Sequence, residues 1–68
     1  MQLQEVKPGQ PVRRSDIVAQ CEGAYLCKSR AQYSLVVEGH PTRHWSRRKV
    51  NFEMALERAN KVLERLTR

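Results

Sequence analysis

Residues 24–38 read AYLCKSRAQYSLVVE, and whether this stretch doubles back on itself decides the fold. Two runs rich in aromatic and β-branched residues, AYLCKS and QYSLVVE, flank the polar SRAQ, the pattern of two strands joined by a short loop. A loop over 29–32 sets Lys28 opposite Tyr33, Leu26 opposite Leu35 and Ala24 opposite Val37. Successive side chains of a strand point to opposite faces. Ala24, Leu26, Tyr33, Leu35 and Val37 therefore share one face, and Tyr25, Cys27, Ser34 and Val36 share the other. The first set is the more apolar and is expected to face the core.

Something must cover that core face, and the C-terminal segment supplies it. Phe52, Ala55, Leu56, Ala59, Val62, Leu63 and Leu66 recur at helical spacing, with charged residues filling the opposite side. Asn51 is a suitable N-cap, and Glu57 with Lys61 and Glu64 with Arg68 have the favourable i,i+4 order. The spacing predicts an amphipathic helix packed on a sheet.

Between these elements lies RHWSRRK, residues 43–49, which holds the only tryptophan. As a third strand it alternates into Arg43, Trp45, Arg47, Lys49 and His44, Ser46, Arg48, Val50, so each face receives one large apolar residue. The preceding loop then sets the orientation. A four-residue GHPT loop pairs Glu38 with Arg43 and turns Trp45 outward beside Tyr25. A five-residue loop turns it inward, because a shift of one residue exchanges the faces. The shorter loop is preferred, since it places opposite charges across from each other. A second geometry extends the last helix back towards Pro41, with Trp45, Phe52, Leu56, Ala59 and Leu63 along one side. The strand is the preferred form.

Upstream, Pro8-Gly9 suits the central positions of a type II turn, and residues 1–14 read as a turn and an extended arm. Ser15 could cap a short helix ending at Gly23, and that helix is the preferred reading of residues 15–23; the β-branched pair Ile17-Val18 also allows a strand. The expected architecture is α+β: a small three-stranded antiparallel sheet covered by a C-terminal amphipathic helix, in the order α-β-β-β-α, with residues 15–68 as one domain. That order is similar in outline to the double-stranded-RNA-binding domain. The likeness is topological only, because that family carries its basic cluster at the start of its last helix, where this chain has NFEMALE.

Composition narrows the function. The chain of 68 residues has 40% hydrophobic and 29% charged residues, near globular averages. Its formal charge is +6 and its pI about 10.0. The excess is uneven: residues 1–50 hold nine Lys/Arg against four acids, and 51–68 hold four against three. No acid lies between Glu38 and Glu53, a gap that contains Arg43, Arg47, Arg48 and Lys49. Such a field favours a polyanionic partner, either nucleic acid or an acidic protein surface. The first residues lack a cationic start followed by an apolar run, and no stretch has the length of a membrane span. A cytoplasmic location is expected, with Cys21 and Cys27 as reduced thiols.

Cys21, Cys27, His40 and His44 are spaced C-x5-C-x12-H-x3-H, which resembles the two-Cys two-His zinc finger in its last two intervals. The first interval is too long, Ala31 and Val37 stand where that family has an aromatic and a leucine, and Gly39 and Pro41 flank a histidine that should lie on a helix. No metal or other cofactor is expected. Nor is catalysis, since there is no phosphate-cradling loop and Glu53, Glu57 and Glu64 fall on the polar side of the helix. The expected function is nucleic-acid binding, with Arg43, Arg47, Arg48 and Lys49 on phosphates and Trp45 and Tyr25 stacking on bases. The alternative is a small interaction module or inhibitor docking the same surface on a larger protein. A homodimer is compatible with either.

Overall fold

The computed structural model describes residues 2–66 and contains one five-stranded antiparallel sheet and one helix. The strands are β1 (Gln4–Glu5), β2 (Ile17–Cys21), β3 (Ala24–Lys28), β4 (Gln32–Val37) and β5 (Arg43–Ser46), followed by α1 (Phe52–Leu66). They lie in the sheet in chain order, each paired with its sequence neighbour. The α+β class with an antiparallel sheet and a C-terminal helix is as expected, but the sheet has five strands rather than three.

The β3–β4 hairpin has the register anticipated from AYLCKSRAQYSLVVE: Lys28 pairs with Tyr33, Leu26 with Leu35 and Ala24 with Val37. Ala24, Leu26, Tyr33 and Leu35 are buried on the face that α1 covers, and Val37 packs at its margin. From the helix, Ala55, Ala59 and Leu63 form a ridge at i, i+4 and i+8, with the two alanines at 0% exposure. Their small side chains let the helix approach the sheet closely. Asn51 caps it, its Oδ1 accepting the Met54 N–H at 2.9 Å. Glu57 and Lys61 form the expected pair at 3.4 Å; the pairing of Glu64 with Arg68 falls outside the described residues.

The expected helix over residues 15–23 is replaced by β2 and a turn. Cys21 pairs with Ala24 across Glu22-Gly23, and Gly23 takes φ 83°. A helix C-cap and a tight hairpin turn both call for a residue of positive φ, so glycine at this place is compatible with either. The unpaired side of β3 and the β-branched Ile17-Val18 favour the strand. A register irregularity between Ile17 and Ala19 leaves Val18 against the core cluster while Ile17 and Cys27 are buried outside it.

Residues 1–14, expected as a turn and extended arm, contribute β1, which pairs with Ala19 and Gln20, and Leu3, which is 4% exposed in the core. The Leu3 N–H donates to Asn60 Oδ1 at 2.8 Å, joining the first strand to the helix. The turn at Pro8-Gly9 forms as read, with the Gln10 N–H on the Lys7 carbonyl at 3.0 Å and Gly9 at φ 84°. No helix among the described residues is long and apolar enough to cross a membrane.

Candidate nucleic-acid interface

The segment 43–50 is strand first and turn afterwards, and this division sets what each of its cations can do. In β5, Arg43 pairs with Leu35, His44 with Ser34, Trp45 with Tyr33 and Ser46 with Gln32. This is neither of the loop geometries weighed from the sequence. The Glu38 N–H is taken by the Gly23 carbonyl at 3.0 Å, so Glu38 extends the β3–β4 ladder and is not opposite Arg43. A turn closed by the His40 N–H on Val37 O follows, and Pro41 cannot donate to a ladder. Pairing therefore resumes later, and Trp45 shares the parity of Tyr33. It is half-buried on the helix side, packed against the core cluster.

Tyr25 pairs with Gln20 and Val36 and belongs to the other face. The expected outward platform of Trp45 beside Tyr25 is thus divided by the sheet, and that expectation is corrected. Arg43 is exposed on the Trp45 side of β5, away from the remaining cations of RHWSRRK.

Those remaining cations leave the strand together. The Val50 N–H bonds back to Ser46 O at 3.1 Å and the Lys49 N–H to the same oxygen at 3.0 Å, which tightens residues 46–50 into a turn. Val50 is buried beneath it, and Arg47, Arg48 and Lys49 are exposed above. The Arg47 N–H continues the ladder to Ala31 O at 2.9 Å, and its Nη1 donates to the carbonyls of Ser29 and Arg30 at 2.8 and 3.2 Å. Its guanidinium carbon lies 6.0 Å from the centre of the Tyr33 ring. Arg47 therefore fastens the β5–α1 turn to the β3–β4 loop, with part of its donor set committed.

Arg30 is the residue that sequence reading left out. The β3–β4 loop is held by Ser29, whose N–H donates to Gln32 O at 2.9 Å and whose Oγ accepts from the Gln32 N–H at 3.2 Å. This places Arg30 across an open cleft of about 570 Å³ lined by Arg30, Ala31, Ser46, Arg47 and Arg48. The available signal was topological: in a three-strand meander, the loop after the first strand and the end of the third lie at the same end of the sheet. Two ion pairs join described residues to one another, Arg14 with Asp16 at 2.6 Å and Lys61 with Glu57. The cleft cations take part in neither.

The cysteine and histidine constellation is scattered. Cys21 ends β2 and Cys27 is buried in mid-sheet, while His40 and His44 are exposed beside and within β5. No group of three or more metal-capable side chains occurs among the described residues. Burial pushes both thiols above their ordinary pKa, and Asp16 adds to the effect at Cys27. Such thiols are poor nucleophiles. Comparison with known proteins found no matching family model, no matching curated protein and no matching solved structure.

Proposed function

We propose that this chain is a small nucleic-acid-binding domain that grips the phosphate backbone at the end of its sheet where the β3–β4 loop meets the β5–α1 turn. One observation carries the reading: Arg30 and Arg48 line one open cleft together with the anchored Arg47, with no acid lining it. Lys49 adjoins them in the turn. Clustered, unneutralised Lys and Arg give most of the affinity for nucleic-acid backbones, through release of condensed counterions.

Roles differ within the cluster. Arg30, Arg48 and Lys49 contact phosphates, whereas Arg47 chiefly holds the two segments at the right separation. Arg43 lies outside the cleft and adds only to the general field. With Trp45 turned towards the helix, no base stacks on it.

The test is titration of single- and double-stranded DNA and RNA at several salt concentrations. The logarithm of the association constant should fall with log salt by about 0.7–0.9 per phosphate contacted. Removing Arg48 or Lys49 should lower that slope by about one. Absence of binding to all four nucleic acids at low salt overturns the reading. A stoichiometric protein partner retained from nuclease-treated lysate would then favour docking on an acidic protein surface, which draws on the same cations.

A further inference from the structure

The face of the sheet turned away from α1 begins at the cationic cleft and ends in a concavity. Ser46 lines the cleft, and its β4 partner is Gln32. From Gln32 the outward positions of β4 run through Ser34 to Val36, four residues and about 13 Å further along. Val36 pairs with Tyr25, and both line a concavity of about 660 Å³ together with Arg13, Gln20 and Glu38. That volume lies within the range of small-molecule pockets and exceeds what one nucleobase needs.

The row between cleft and concavity is polar and organised. Gln32 Nε2 lies 3.1 Å and Ser34 Oγ 2.9 Å from His44 Nδ1. Both side chains thus converge on one ring nitrogen of His44 on the exposed face. At the far end Tyr25 is half-buried in the wall of the concavity, and Arg14, next to Arg13 in the chain, is paired with Asp16. Tyr25 thus presents its side chain to the concavity.

We propose that the nucleic acid bound at the cationic cleft is single-stranded and follows β4 across the open face, so that one unpaired base stacks on Tyr25. This inference rests on the nucleic-acid reading of the cleft. A base can reach an aromatic ring in a concavity only when it is free of its own duplex stack. Glu22, Glu38 and Arg13 line the concavity, so it carries two acids against one cation, unlike the acid-free cleft. The phosphates are therefore held chiefly at the cleft, on the Gln32 side, and Tyr25 marks the end of the path.

The experiment compares a fluorescently labelled single-stranded oligonucleotide with a duplex of the same length, on wild type, Tyr25→Ala, Tyr25→Phe and the double variant Arg30→Ala/Arg48→Ala. Loss of one stacked base should weaken single-strand binding by roughly 5- to 150-fold in Tyr25→Ala. Tyr25→Phe, which keeps the ring and drops the hydroxyl, should stay close to wild type, and duplex binding should not respond to either. The double variant should weaken both ligands. If the double variant loses binding while Tyr25→Ala retains full single-strand affinity, the stacking inference is overturned and the cationic cleft stands. If wild type binds neither ligand, both fall. Should Tyr25→Ala fail to fold, wild-type NMR decides: the Tyr25 ring protons must shift upfield with the single strand and stay in place with the duplex, and an unmoved ring overturns the proposal.

Discussion

On the helix-covered face Leu26 and Leu35 are fully buried opposite each other, whereas Tyr25 and Val36, the next pair along the same two strands, are half-buried and open to solvent. One residue of offset separates a position that holds the fold from one that can meet a ligand. Both aromatic residues once expected to act together fall on either side of this divide: Trp45 shares the face of Leu35, and Tyr25 shares the face of Ser34 and His44. Aromatic character and basic neighbours did not distinguish them. Pairing parity did.

The largest test of that division is a pair of truncations. Leu26→Ala should cost 2–5 kcal/mol in urea unfolding, the usual range for a core leucine, while Tyr25→Ala on the open face should cost clearly less. Equal losses would mean that the two faces contribute alike. A smaller effect is expected at Trp45, which is only half covered: Trp45→Ala should lose about 2 kcal/mol, below the 3–5 kcal/mol typical of a fully enclosed ring. Its emission should be blue-shifted, partly quenched by iodide, and unchanged by a bound oligonucleotide. Strong protection of Trp45 on adding nucleic acid would reopen the question of which ring meets the ligand.

The smallest effect concerns the thiols. Cys27 and Cys21 have folded-state pKa values raised above 9.0, so the folded chain holds these protons to higher pH than the unfolded chain. The stability they contribute is present below the unfolded thiol pKa and declines as pH rises above it towards the folded value. A denaturant midpoint that falls between neutral pH and alkaline conditions, and falls less in Cys27→Ala relative to its own neutral value, is the expected result. No difference between the two chains would remove Cys27 from the account.

The hairpin at residues 24–38 and the final helix were legible in the sequence because each combines a clear period with a local stop signal: the polar loop SRAQ in one, Asn51 in the other. Two features were not. Gly23 supplies positive φ, which a helix end and a hairpin turn both require, so the choice between helix and strand at residues 17–21 fell to tertiary pairing with β3. The β4–β5 register depended on Glu38 spending its N–H on Gly23, a bond between residues distant in sequence. At the site, Arg48 and Lys49 were visible as charges. Arg30 was not, because its relevance comes from the position of its loop.

Strand order in the sheet repeats chain order, and that has a kinetic consequence. Each strand meets its partner across a local connection, a topology of low contact order that favours rapid zippering outward from a central hairpin. The bond between Leu3 and Asn60 spans 57 positions and closes the structure at its two ends. Between these extremes stand the bonds from Arg47 to Ser29 and Arg30, which span 18 and 17 positions and can form only after β5 has docked. The charges of the cleft are thus present in any conformation of the chain, but their arrangement depends on contacts that reach across 17 and 18 positions and exist only where β5 is paired.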